Sequence, residues 1–304
     1  MTPETGTGPR PGPEEVCAIA ESHGLQLDPA GVEFNEAGLD YRVAFAVEQG
    51  TKRKWVLRLP RRPDVAANQS SEQAILDFVR PQLRVAVPDW QIQETDLVAY
   101  PLLPGRPGLT IGEGNQPDWH FDPSSGEYLA SLARLIASLH SLDTAAAAAA
   151  GIRSESPQQV RSYWAEGLEA VLAEFEVDRA LLAGWRRWLD DDGLWPQRTV
   201  LTHGELYPAH LLLDEADRIV SVLDWTTAKI SDPALEFMYV HLISPDSFDE
   251  VVRLYQDATG TAEPRLADRC TALLAAGPLN YARFALTTGE AEHREAAQAQ
   301  LLAV

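Results

Sequence analysis

The run Leu201-Thr202-His203-Gly204-Glu205-Leu206-Tyr207-Pro208-Ala209-His210-Leu211-Leu212 gathers two imidazoles and one carboxylate within eight positions. Gly204 and Pro208 forbid a regular helix there, so the segment is expected to be a loop of fixed shape. Fourteen residues beyond His210 stands Asp224, at the end of the apolar run Ile219-Val220-Ser221-Val222-Leu223. That run reads as a strand that lifts the carboxylate to the edge of a sheet. A carboxylate at a strand end, beside a loop carrying another carboxylate and a His, suits a divalent cation. Mg²⁺ keeps several waters and takes one or two protein oxygens together with substrate phosphates. His203 alone reads as a hydrogen-bonded loop former. The group as a whole is set apart from a solvated loop because it lies between apolar strands, where unpaired charge is costly.

The elements that must position these residues fall into two kinds. Val16, Ile19 and Ala20 recur at helical spacing between Glu14 and Ser22, and Gly24 is placed to end that helix. Val32 and Phe34 lead into a turn at Asn35 to Asp40, and Tyr41, Val43, Phe45 and Val47 then alternate as a strand. After Gln49-Gly50-Thr51 a third strand, Lys54 to Leu59, ends at Pro60. Asp64 is placed to cap a helix reaching about Arg80, with Ala67, Ala74, Ile75 and Phe78 on one side, and Asp96 to Leu103 reads as a further strand. The first hundred residues are thus expected to form a small, mostly antiparallel sheet with one internal helix.

Beyond Pro107 the pattern changes. A connector, Gly108 to Ser125, precedes a helix striped by Leu129, Leu132, Leu135, Ile136 and Leu139. The Ala run that ends at Gly151 reads as a frayed helix end or a flexible link. Amphipathic helices are expected at about Pro157 to Glu176 and Asp178 to Leu189, then a strand-rich island inserted at Thr199 to Asp224. From Pro233 onward the pattern is helical, with breaks near Ser244-Pro245, Gly260 to Pro264 and Gly277-Pro278. The expected division is a disordered tail at 1–13, a nucleotide-binding lobe at 14–106 and a helical catalytic and substrate-binding lobe at 107–304.

Composition bounds the partners. The 304 residues carry 45 acidic and 25 basic side chains, a net charge of −20, which excludes a phosphate-backbone binder and suits solubility or a cationic small molecule. Only Lys52, Lys54 and Lys229 are lysines, so a lysine-dependent mechanism has few candidates. Cys17 and Cys270 match no metal or redox spacing, and the N-terminal stretch lacks a secretion signal. No apolar run approaches the roughly 20 residues needed to cross a membrane. A soluble cytoplasmic monomer with no nucleic-acid or membrane partner is expected.

The pattern His203-Gly204-Glu205-x-x-x-x-His210, then Leu223-Asp224-Trp225, then Ser231-Asp232-Pro233, resembles the active-site signature of the aminoglycoside phosphotransferase-like small-molecule kinases. The phrases Trp55 to Pro63 and Ala99 to Gly105 resemble the macrolide 2′-phosphotransferase subgroup. The likeness spans roughly Glu33 to Tyr239. It implies an α+β, two-lobed protein-kinase-like fold, with a small antiparallel-sheet N-lobe and a mostly helical C-lobe. It also implies transfer of the γ-phosphoryl of GTP, or of ATP, to a macrolide sugar hydroxyl.

Residue by residue, the resemblance implies that Glu205 orients the acceptor hydroxyl and takes its proton, although most relatives have Asp there. The extra methylene moves the carboxylate about 1.5 Å outward, a distance that matters for catalysis. His210 and Asp224 become the Mg²⁺ ligands. Arg58 takes the place of the usual third-strand lysine, with Lys54 as its competitor and Glu72 as its ion-pair partner. Gly38-Leu39-Asp40-Tyr41 resembles the nucleotide-positioning loop and reads equally as a plain hairpin. Tyr100 to Leu102 would be the hinge whose backbone groups bind the base. Acceptor candidates are the segment Asp232 to Tyr239, with Glu236 facing a cationic amine, and the break Gly277-Pro278-Leu279-Asn280-Tyr281; the other reading has Asp232 capping the next helix and Tyr281 in the core. An aminoglycoside or metabolite kinase and a nucleotide-binding pseudokinase are the alternatives.

Overall fold

The computed structural model describes residues 11–36, 40–62, 65–66, 69–112 and 116–303. The chain forms two compact units, the first from Met1–Phe121 with Pro208–Thr226 and the second from Asp122–Tyr207 with Thr227–Val304.

In the first unit, α1 (Pro13–Ser22) precedes β1 (Glu33–Asn35), β2 (Tyr41–Val47) and β3 (Lys54–Pro60). Next come α2 (Gln69–Val79), β4 (Ile92–Gln93) and β5 (Val98–Pro101). The five strands make an antiparallel sheet in the order β1-β2-β3-β5-β4. Side chains alternate across a strand, so β3 sends Trp55, Leu57 and Leu59 into a core closed by Val16 and Ala20 of α1. The same alternation turns Val56 and Arg58 to the opposite face. The strands match the expected antiparallel sheet. Asp64 and Ala67, read as the start of the internal helix, lie outside the described residues.

Three short strands follow: β6 (Arg106–Pro107), β7 (Leu109–Ile111) and β8 (Pro117–Trp119). The connector expected at Gly108 to Ser125 therefore contains a hairpin, β7 against β8, which its Gly and Asp content concealed.

The second unit is mostly helical. Its helices are α3 (Gly126–His140), α4 (Thr144–Ala149), α5 (Pro157–Glu174) and α6 (Arg179–Asp190), and after a strand-rich stretch come α7 (Met238–Ile243), α8 (Phe248–Thr259), α9 (Leu266–Ala275), α10 (Gly277–Thr288) and α11 (Ala291–Leu302). Leu168 and Val171 of α5 meet Trp185 of α6, Leu279, Ala282 and Ala285 of α10, and Ala297 and Leu301 of α11 in one apolar cluster. The alanine run is not a frayed link. Asp143 accepts hydrogen bonds from the amides of Ala145 and Ala146, and this cap starts α4 at a sequence whose alanines favour a helix.

The strand-rich island also divides differently from the single inserted sheet expected. β9 (Val200–Thr202) pairs with β12 (Lys229–Ser231) in the second unit. β10 (Leu211–Leu213) and β11 (Ile219–Val222) pair with each other, and β10 also pairs with β6, in the first unit. The loop from His203 to His210 thus crosses covalently from one unit to the other.

Gly105 makes the β6 pairing possible. Its φ of +96° is left-handed, and a Cβ there would stand 2.8 Å from Val220 Cγ2 and 3.0 Å from Leu212 Cβ. Gly105→Ala is expected to cost roughly 2–4 kcal/mol from backbone strain and overpacking, read as a lower urea midpoint at unchanged m-value.

Candidate active site

In the first unit, β3 and α2 bring Arg58 and Glu72 together. Arg58 Nη1 lies 2.7 Å from Glu72 Oε1, and both side chains are buried, Arg58 at 8% and Glu72 at 2% exposure. The guanidinium also stands 3.9 Å from the centre of the Tyr41 ring and 5.7 Å from that of Trp90. Burial works against its charge, but the Glu72 carboxylate, with Tyr100 and Tyr41 adding to it, holds the guanidinium above its ordinary range. Burial likewise pushes the Glu72 carboxyl up, with Arg58 pulling it back. We take the pair as ionised, because an arginine does not surrender its proton in a protein. Lys54, the competitor, is exposed at the first position of β3.

Tyr100 is buried in β5, where burial pushes its phenol up to about 12. The Leu102 amide donates to the Lys54 carbonyl at 2.9 Å, and Pro101 has no amide hydrogen. Within the expected hinge, Leu102 is therefore left with its carbonyl, not its amide, for a base. Gly38 and Leu39 lie outside the described residues. Asp40 is held by Arg62 at 2.8 Å.

His210 ends the 3₁₀ turn Pro208–His210, and its carbonyl accepts from the Leu223 amide at 2.8 Å. Two residues after β11, Asp224 adopts φ +58°, a left-handed conformation that Asp tolerates better than most residues. Thr226 Oγ1 donates to Asp224 Oδ1 at 2.6 Å, and His210 Nε2 lies 3.7 Å from Asp224 Oδ2. Two ligands about 2.1 Å from one octahedral Mg²⁺ are about 3.0 Å apart when adjacent and about 4.2 Å when opposite. The pair therefore fits one shared ion after a small rotation. Among the described residues no set of three His, Cys, Asp or Glu is arranged around a metal. His210 and Asp224 would be the residues to hold Mg²⁺, an ion that usually takes one or two protein ligands together with substrate phosphates.

In the second unit, Glu205 sits on the loop that leaves β9. Gly204 turns it with φ +85°, and a Cβ there would meet the Thr227 carbonyl at 3.2 Å. Thr227 Oγ1 donates to the His203 carbonyl at 2.8 Å. The Gly204 amide donates to Glu236 Oε1 at 2.8 Å, and the His203 amide also donates to this carboxyl group. His203 is fully buried, and its Nδ1 accepts from the Glu205 amide at 3.2 Å. It is a loop former, as its sequence context suggested.

Glu236 corrects the acceptor reading. It is 1% exposed and is consumed by the loop's backbone, so it is not presented to a cationic amine. Asp232 caps the turn Pro233–Phe237 through the Ala234 amide and pairs with buried Arg269. Pro278 occupies the first turn of α10. Tyr281 is partly buried against the α5, α10 and α11 cluster and bonds His293 Nδ1 at 3.1 Å, which fits the core reading. Tyr239, the last residue of the candidate acceptor segment, donates from its hydroxyl to Glu205 Oε1 at 3.3 Å, a contact that sequence reasoning missed. An aromatic residue in an apolar helix carries no local sign of that contact.

The family profile described as "Phosphotransferase enzyme family" matches residues 31–269. The chain belongs to that family. Two solved structures are macrolide 2′-phosphotransferases. MphH from Brachybacterium faecium is 48% identical, with a TM-score of 0.89 over 96% of this chain and 98% of its own. The type I enzyme is 37% identical, with a TM-score of 0.88 over 96% and 97%. Uncharacterized protein YcbJ of Bacillus subtilis (strain 168) is 36% identical over 92% of both chains. The fold is the kinase-like one that the loop and Asp-Trp motifs implied, and the protein is a phosphotransferase acting on a hydroxyl group.

Burial pushes the Glu236 carboxyl up to about 7 from an ordinary value of 4.5, against the pull of the Gly204 and His203 amides. Between those values the folded state keeps a proton that the unfolded chain has released, so stability falls as pH rises, by at most about 3 kcal/mol. Glu236→Gln should remove this slope. Denaturation of both proteins between about pH 4.5 and 8 should show the variant gaining on the wild type as pH rises, and parallel profiles would contradict it.

Proposed function

We propose that this phosphotransferase moves the γ-phosphoryl of GTP, or of ATP, to the 2′-hydroxyl of a macrolide sugar, and so confers macrolide resistance. The observation that carries the reading is the 48% identity to MphH across 96% of the chain. Residues 14–106 form the nucleotide-binding lobe in this reading, and 107–304 the lobe that carries base and acceptor. Among the described residues no helix is long and apolar enough to cross a membrane. In this reading the enzyme acts on drug inside the cytoplasm, as a monomer that needs no nucleic acid.

Glu205 orients the acceptor hydroxyl and accepts its proton as the new O–P bond forms and the bond to the nucleoside diphosphate breaks. Arg58, held in place by Glu72 and flanked by Tyr41, directs its remaining N–H groups to phosphate oxygens. Tyr100 and the Leu102 carbonyl border the base. His210 and Asp224 hold Mg²⁺, which neutralises phosphate charge when bound. Phosphate on the sugar adds charge and bulk that spoil the drug's fit to its target. The net charge of −20 favours approach of the cationic dimethylamino sugar.

The test is incubation with a panel of macrolides and aminoglycosides, GTP or ATP, and Mg²⁺, followed by mass spectrometry. Macrolides should gain one phosphoryl group at the 2′-oxygen. Glu205→Gln, at unchanged thermal stability, should lower kcat by about 10²–10⁴-fold. Transfer to aminoglycosides alone, or nucleotide binding without transfer to any acceptor, would overturn the proposal.

A further inference from the structure

The glutamate at position 205 poses a mechanical problem. Compared with Asp it adds one rotatable bond and about 1.5 Å of reach, and a base that swings on a longer arm loses the alignment that catalysis needs. Retracting the loop would answer the reach but not the added freedom. Ordering a Glu side chain costs rotamer entropy unless something already restrains it.

Such a restraint is present in the second unit. Tyr239 stands in the first turn of α7, directly after the turn Pro233–Phe237 that supplies Glu236. Its hydroxyl donates to Glu205 Oε1 at 3.3 Å. Its ring lies 5.2 Å from that of Tyr207, tilted by 52°. Tyr207 belongs to the same loop as Glu205, and its amide donates to the Glu205 carbonyl at 2.7 Å. Loop backbone, Glu205 carboxylate and the two aromatic rings therefore form a closed circuit.

We infer that Tyr239 is a positioning residue for Glu205: its phenol pins one carboxylate oxygen of the longer side chain, and so sets the direction in which the other oxygen meets the acceptor hydroxyl. The inference rests on the reading of Glu205 as the base. The 3.3 Å separation is long for an O–H···O contact and is expected to shorten with substrate in place, as catalytic hydrogen bonds commonly do. Burial, and then the charge of Glu205, hold the Tyr239 phenol well above its ordinary range, so it is a donor across the working pH range. An Asp at 205 would fall short of this phenol, which makes the Glu and the Tyr a matched pair.

Steady-state kinetics with a macrolide acceptor test the pairing. Tyr239→Phe should lower kcat about tenfold and leave KM for macrolide and nucleotide within about twofold, the signature of lost alignment and not of lost binding. In a Glu205→Asp background, Tyr239→Phe should have no further effect, since the contact is already gone. Unchanged kcat in Tyr239→Phe, or an equal fall in both backgrounds, would overturn the inference. A second measurement does not need turnover. In protein labelled with fluorotyrosine, the ¹⁹F resonance that Tyr239→Phe removes should shift on Glu205→Asp, and no shift would refute the contact. If the wild type transfers nothing to any acceptor, the functional reading falls, and the resonance still decides whether Tyr239 holds the carboxylate.

Discussion

A single buried carboxylate, Glu236, holds the loop on which the chemistry depends. Taking a carboxyl group out of water costs several kcal/mol unless donors replace the lost hydration. Here the Gly204 and His203 amides replace part of it, Glu236 Oε2 being buried without a hydrogen-bond partner, and the same two bonds pin the backbone next to Glu205. The left-handed turn at Gly204 and the Thr227 bond to the His203 carbonyl complete the clamp. Asp232, Glu236 and Tyr239 all lie on one short run of chain. The first caps that run and anchors it to Arg269, the second holds the loop backbone, and the third reaches the Glu205 carboxylate.

The first unit solves a related problem with a full ion pair. Arg58 and Glu72 are both removed from solvent, and an isolated charge in that position would not survive. Each stabilises the other, and the aromatic rings of Tyr41 and Trp90 fill space that water would otherwise enter. A planar guanidinium can bond Glu72 through one nitrogen and still present others, which a lysine ammonium on a flexible stem does less well. The scarcity of lysine in this chain thus has a structural counterpart in β3.

Much of this was legible before any coordinates. The alternation of β3, the loop forced by Gly204 and Pro208, and the strand that delivers Asp224 all followed from local pattern. So did the pairing of Arg58 with Glu72, given the family resemblance. The hairpin between β7 and β8 and the capped alanine helix were not legible, because turn-rich composition and a single Asp cap signal weakly against their surroundings. Glu236 fell out for a different reason. It was chosen by residue type, and type does not say whether a side chain faces solvent or core.

The sequence by itself determined which groups were available: a carboxylate one methylene longer than usual, two imidazoles on a rigid loop, an aspartate at a strand end and an arginine in a buried strand. Local sterics and side-chain alternation are properties of adjacent residues, so they can be read in order along the chain. Only the tertiary structure decided what each group touches. It split the strand-rich island between two units, turned Glu236 inward onto backbone amides and set the Tyr239 phenol against Glu205. Those contacts join residues more than thirty positions apart, and they depend on how helices and strands pack, which no local pattern encodes.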